Sequence, residues 1–214
     1  MYIPEPFALN DQTRIAAVLR DHDFALLISA VAGHPPVATH LPFVYDPAAG
    51  PCGCLIAHMA RANPHWRDFA PLAAAGGEAL IVFQGPHAYI SPTAYAPGPA
   101  VPTWNYVAVH AYGTPRLLET QDQVEQGLTR LVAAHEAGAP APWSMAGQDQ
   151  AFLARMMRGI VMFEIPLARI EAKAKLSQNK RPADRRGVVA ALGAQGHPGA
   201  AELAQWMVDL NDEG

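Results

Sequence analysis

The sequence predicts an α+β protein built on an antiparallel or mixed β-barrel. Several strand-like runs are joined mainly by Pro/Gly turns, and helical patterns are inserted between or after them. The regular βαβ rhythm of a doubly wound sheet is missing. A chain of 214 residues, 50% of them hydrophobic, is long enough for one substantial core.

Asn10 or Asp11 caps a first helix whose Ile15, Val18 and Leu19 share a face. Phe24 to Val31 reads as a buried strand, turned by Gly33, His34 and Pro35. Pro36 to Tyr45 alternates as a single strand, with Val37, Thr39, Leu41 and Phe43 on one side. Asp46 to Pro51 is a loop, and Cys54 to Met59 is a third strand. Asn63-Pro64 opens a helix, since asparagine caps well and proline suits the first helical position. Ala79 to Gln84 is a strand that resumes as Ala88 to Ser91 after a Gly-Pro break. Pro92 to Pro102 is a loop, and Trp104 to Tyr112 alternates again. Gln121 to Glu136 and Gln148 to Arg158 are helical patterns. Ile160 to Ile165 and Leu167 to Leu176 read as two strands joined at Pro166. Ala200 to Asn211 is an amphipathic helix with Leu203, Trp206, Met207 and Leu210 on its apolar side. No linker divides the chain, so the expected organisation is one domain over 1–192 with a helical extension over 193–214.

Composition narrows the function. No apolar run approaches the roughly 18 residues of a membrane span, and the start of the chain lacks the pattern of a secretory signal. A cytoplasmic protein is expected. Cys52 and Cys54 are too few for a disulfide framework or a four-thiolate zinc site. The net charge of −4 argues against electrostatic coating of nucleic acid. Between Glu171 and Arg186, however, six basic residues stand against two acidic ones, a local patch on an acidic body. Neither a dinucleotide fingerprint nor a P-loop occurs. His40, His58, His87 and His110 lack the spacing of a metal site, so no metal is expected.

Four segments are dense in polar or aromatic groups. They are Thr39 to Phe43, His58 to Trp66, Phe83 to Pro92 continued by Val101 to Tyr106, and Lys175 to Lys180. In the second, Arg61 lies beside a helix start, and free amides next to a guanidinium suit a phosphate; simple helix capping is the other reading. In the fourth, a lysine, a hydroxyl and two amides in succession suit phosphate or the polar edge of a planar ring; a solvated turn is the other reading. Trp66, Trp104 and Tyr106 can stack on a planar ligand or fill a core.

These segments are also the ones that resemble a known family. The strings Met1-Tyr2-Ile3-Pro4, His40-Leu41-Pro42-Phe43, His58 to Trp66, Phe83 to Pro92, Val101 to Tyr106 and Lys175 to Asn179 are similar in order and spacing to the PaiB family of negative transcriptional regulators, from Met1 to about Leu192. The resemblance implies a six-stranded split β-barrel with peripheral helices, related to pyridoxamine 5′-phosphate oxidase. It also implies flavin mononucleotide (FMN) as cofactor and a homodimer with the flavin at the interface. By position, His58, Met59, Ala60, Arg61 and Asn63 would grip the phosphate and ribityl chain, with Arg61 first for the phosphate. His40, Leu41 and Pro42 would lie along the isoalloxazine. Lys175, Ser177, Gln178 and Asn179 would close the site, with Trp104, Asn105 and Tyr106 as pocket wall. His65 receives no role. The expected function is negative transcriptional regulation, indirect or redox-linked, because the basic patch overlaps the cofactor segment. The alternatives are a flavin-dependent oxidoreductase of a small molecule and a haem-binding split barrel using His40, His58 or His110.

Overall fold

The computed structural model describes residues 1–210. Eight strands and six α-helices occur among them: α1 (Gln12–Asp21), β1 (Phe24–Ser29), β2 (Val37–Pro42), β3 (Val44–Asp46), β4 (Cys54–Ala60), α2 (Phe69–Ala74), β5 (Ala79–Ile90), β6 (Thr103–Gly113), β7 (Arg116–Leu118), α3 (Gln121–Glu136), α4 (Gln150–Met157), β8 (Ile160–Lys175), α5 (Pro182–Gly193) and α6 (Pro198–Asp209). The class is the expected α+β. Its framework is six long strands, with β3 and β7 as three-residue additions. The hydrogen-bonded order is β2-β1-β5-β6-β8-β4-β3, and β7 pairs with β8.

The chain forms two compact units. The first comprises Met1–Ile15, Gln84–Val109 and the chain from Glu171; the second comprises Ala16–Phe83 and His110–Ile170. Each of β5, β6 and β8 contributes residues to both.

In the second unit, the expected single strand over Pro36 to Tyr45 is two strands with different partners. β2 runs antiparallel to β1, pairing Leu26 with His40, whereas β3 runs antiparallel to β4, pairing Tyr45 with Leu55. The break falls at Phe43, whose N–H donates to the Asp23 carbonyl at 2.9 Å. Its ring, 1% exposed, meets Phe83 and Phe163 at centroid distances of 6.0 and 6.4 Å. Burying this ring pulls the chain from one ladder to the other, which alternation alone does not reveal. α3 covers the far side, where Ile56, Leu131 and Met162 pack with Val124 and Leu128. Its start is set by a capping box between Thr120 and Gln123.

Two expected breaks are continuous strands. At Gly85-Pro86 the strand continues, and its buried positions change phase between these residues. Gly85 admits Val107 so closely that a Cβ there would lie 3.1 Å from the Val107 side chain. Pro166 likewise sits inside β8, opposite Cys54 at the first residue of β4. Leu167 turns its N–H to the Gly53 carbonyl at 3.0 Å, so the N–H that Pro166 lacks would face away from β4 and that ladder loses nothing.

In the first unit, α5 and α6 pack together through Val188, Leu192, Leu203 and Met207, all buried. Gly187 touches the Ala94 carbonyl closely enough to exclude any side chain, which seats the short turn Pro92–Ala94 against α5. α6 stops at Asp209, and the predicted helix end at Asn211 lies outside the described residues.

The Phe43 corner gives a direct test. Phe43→Ala is expected to lower unfolding free energy in urea by about 3–5 kcal/mol, the cost of a buried aromatic cavity. A loss below about 1 kcal/mol would show that the corner holds without the ring.

Candidate functional site

The expected site residues fall into one group in each unit. In the second unit, β4 ends at Ala60 and the chain turns tightly, with the Asn63 N–H donating to the Ala60 carbonyl at 2.9 Å. The Arg61 N–H donates to the Gly159 carbonyl at 2.8 Å. The Arg61 guanidinium reaches the same neighbouring turn, giving Nε–H to the Arg158 carbonyl at 3.0 Å and Nη2–H to the Ile160 carbonyl at 2.8 Å. Two of its five N–H donors are engaged in this way, and the rest of the group is exposed. The Trp66 indole N–H donates to the Arg61 carbonyl at 3.2 Å, fixing the turn from the other side. After Asn63 the chain forms a short 3-10 helix, Pro64–Asp68, leading into α2.

Asn63 caps that turn as predicted: its Oδ1 accepts the His65 N–H at 3.0 Å, and its Nδ2 donates to Thr39 Oγ1 at 3.3 Å. His65 is 1% exposed, and both ring nitrogens are bonded. Nδ1 lies 2.8 Å from Thr39 Oγ1, and Nε2 lies 2.9 Å from Ser29 Oγ. The Ser29 hydroxyl donates to Asp68 Oδ2 at 2.9 Å. Because that proton is committed to the carboxylate, Ser29 accepts from Nε2–H, which leaves Nδ1 to accept from Thr39. A neutral ring therefore satisfies every group in the chain Asn63–Thr39–His65–Ser29–Asp68. Burial holds the His65 pKa below its ordinary value, against the opposing pull of Asp68.

The remaining members of this group differ in what they present. His58 is half-buried opposite Met162, with Nδ1 buried and without a hydrogen-bond partner, and burial lowers its pKa. Leu41 and Met59 have their side chains in the core, at 8% and 2% exposure. His40 is exposed and stacks on Phe24 at 6.0 Å, while Pro42 is half-buried and Ala60 exposed.

In the first unit, Asn105 is fully buried and donates through Nδ2 to Ser177 Oγ at 3.0 Å; the hydroxyl returns a bond to Oδ1 at 3.2 Å. Ser177 has φ 65°, a left-handed backbone for a non-glycine residue, and this pair holds it there. Gln178 turns back on its own segment, Oε1 accepting the Leu176 N–H at 2.7 Å and Nε2 bonding to the Ala174 carbonyl. Lys175 donates to Thr103 Oγ1 and the Trp104 carbonyl, each at 2.6 Å. Its pKa is lowered by burial first and by repulsion from Lys173 and Lys180 next. Asn179 is exposed, as is Trp104, which contacts Tyr89 and His87. The Tyr106 ring lies 5.3 Å from the buried Lys173 ammonium.

Sequence reasoning missed His65, Ser29, Thr39 and Asp68 as a set. Only the Asn63 cap was signalled locally: Thr39 and Ser29 stand 26 and 36 residues from His65 along the chain, and Asp68, though near in sequence, joins the set only through Ser29, 39 residues away.

A family model described as "Putative FMN-binding domain" matches residues 1–169. The protease synthase and sporulation protein PAI 2 of Bacillus subtilis is 34% identical over 98% of this chain and 97% of its own length. An uncharacterized protein of Emericella nidulans is 27% identical over 88% of this chain and 89% of its own. Among solved structures, a FAD and heme binding protein of Mycobacterium smegmatis matches with TM-score 0.59 at 15% identity, covering 88% of this chain and 80% of that one. The flavocytochrome Anf3 of Azotobacter vinelandii matches with TM-score 0.55 at 16% identity, covering 78% and 69%. At these identities the structural likeness shows the fold alone.

Asn105→Ala leaves the Ser177 hydroxyl and its strained backbone without support. The expected cost is about 1–3 kcal/mol in urea unfolding, the penalty for orphaning a buried polar group. An unchanged midpoint would mean that the loop keeps its shape by other contacts.

Proposed function

The chain belongs to the PaiB family of FMN-binding split-barrel proteins, and from that premise we propose that it is a flavin-containing negative regulator of gene expression that acts without gripping DNA itself. The observation that carries the cofactor reading is the Arg61 turn. A guanidinium anchored by two backbone carbonyls, with its other N–H groups exposed, is oriented and charged for a phosphate. Arg61 takes the FMN phosphate, with Ala60 and Asn63 beside it. His58, with an unpartnered buried nitrogen, offers a polar contact at the strand end. His40, Leu41 and Pro42 border the ring. Bound FMN brings electron and hydride acceptance at its ring.

The regulatory part rests on the relation to PAI 2, a protein named for protease synthesis and sporulation. Charge supports an indirect mode. Within the basic stretch, Lys173 is buried, Lys175 is bonded to Thr103 and Trp104, and Arg181 is paired with Asp184 at 3.0 Å. Arg181 and Arg186 stay exposed, but on a chain of net charge −4 they are a small basis for gripping a DNA backbone. The protein assembles as a homodimer with the cofactor at its interface, and the exposed Trp104 and Tyr89, 54% and 48% accessible, suit an apolar contact with a second copy. Among the described residues no helix is long and apolar enough to cross a membrane, in keeping with action in the cytoplasm.

An absorbance spectrum after FMN loading and desalting is expected to keep the flavin band, at one FMN per chain. Arg61→Ala is expected to weaken FMN binding by about 1.5–3 kcal/mol, the range of a charge-assisted hydrogen bond. Equal affinity in the variant would remove Arg61 from the phosphate site. The pure protein is expected to leave promoter DNA unshifted; a salt-sensitive, sequence-dependent shift would overturn the indirect reading. Steady NADH or NADPH oxidation would instead favour an oxidoreductase.

A further inference from the structure

The chain Asn63–Thr39–His65–Ser29–Asp68 is built with a precision that helix capping does not require. Asn63 needs only its Oδ1 to cap the 3-10 turn, and that bond is made to the His65 N–H. Its other polar end is tied through Thr39 to a ring that is 1% exposed, and that ring is tied through Ser29 to a carboxylate. Three separate pieces of backbone are joined: β1, β2 and the stretch from the Arg61–Asn63 turn through the 3-10 helix. Only one order of protons satisfies the chain, with His65 neutral and its proton on Nε2.

We propose that His65 is a positioning residue, holding the Arg61–Asn63 turn in phosphate-binding form through Thr39 and Asn63, and releasing it on protonation. This rests on the assignment of that turn to the FMN phosphate. The reason lies in donors and acceptors. A proton on Nδ1 converts an acceptor into a donor facing Thr39, so the Thr39 hydroxyl proton loses its acceptor and the tie to Asn63 loosens. The groups facing the ring are Ser29 from β1, Thr39 from β2, Asn63 from the turn, Phe69 from α2 and Asp68 from its own short helix. Asp68 is the charged one among them, and its attraction for a proton is outweighed by burial.

A histidine whose folded pKa lies below its unfolded value contributes fully above the unfolded value, about 6.5. That contribution is lost as pH falls through the folded pKa. Tight FMN binding is therefore present at neutral pH and declines in acid. The phosphate of FMN titrates near pH 6 as well, so the wild-type curve alone does not isolate the ring.

The test compares dissociation constants of FMN and riboflavin, which lacks the phosphate, by flavin fluorescence at pH 7.5 and 5.8. Wild type, His65→Leu and His65→Gln are measured. At pH 7.5, His65→Leu is expected to weaken FMN by about tenfold, as for loss of one buried hydrogen bond or slightly more, with riboflavin unchanged. His65→Gln, which retains an amide in the ring's place, is expected to recover most FMN affinity at pH 7.5 and to show a shallower acid decline than wild type. Equal losses of FMN and riboflavin in His65→Leu would show a merely structural role and overturn the proposal. Should His65→Leu fail to fold, superimposable pH curves for wild type and His65→Gln would overturn it alone. Equal affinity of wild type for FMN and riboflavin would instead overturn the phosphate assignment beneath it, and the proposal with it.

Discussion

One unit of this protein closes on the Phe43 ring. Two neighbouring strands leave Phe43 in opposite directions of pairing, β2 to β1 and β3 to β4. The ring lies between Phe83 and Phe163 at the point of exchange. Phe69 joins the same cluster, its centroid 5.0 Å from that of Phe163. α2 is thereby held where its preceding turn can carry His65 inward. A hydrophobic contact thus helps to place a polar group: the aromatic cluster, through Phe69, adds to the hydrogen bonds that hold the His65 ring at the level of Ser29 and Thr39.

The polar groups obey the complementary rule. Once His65 is taken from water, each donor and acceptor around it must be matched, since an orphaned group in a low-dielectric interior costs more than a bond returns. The chain to Asp68 meets that demand without an added proton. Asn105 and Ser177 meet it in the other unit, and there the matched pair also sustains a backbone conformation that a serine rarely adopts. His58 is the exception among the histidines on this path, buried at Nδ1 with no partner. A buried group left unmatched near the end of a strand, three residues before an anchored arginine, is where a ligand's acceptors or donors would be of use.

The basic stretch after Glu171 illustrates how net charge in a segment differs from charge on a surface. Glu171 binds the chain's own amino terminus, Lys173 lies between the Tyr2 and Tyr106 rings, and Arg181 is held by Asp184, which also accepts the Ala96 N–H at 2.9 Å. Part of the positive charge thus helps to hold the first unit together, while Arg186 stays exposed.

By itself the sequence determined what depends on neighbours in the chain. The α+β class, α3 from Gln121 to Glu136, the Asn63 cap and the starts of most strands were legible because periodicity, capping and turn chemistry act over a few residues. The strings around His58 to Trp66 and Lys175 to Asn179 also sufficed to identify the family. Tertiary structure decided the rest. It divided Pro36 to Tyr45 at Phe43, carried β5 through Gly85-Pro86 and β8 through Pro166, and added β7, because pairing partners and close backbone approaches are set by residues far away along the chain. It also decided that Ser177 and Gln178 bond to their own chain, and that His65, which the sequence left without a role, lies at the centre of a buried chain of hydrogen bonds. A local pattern records which residues can bond; only packing selects the partners they have.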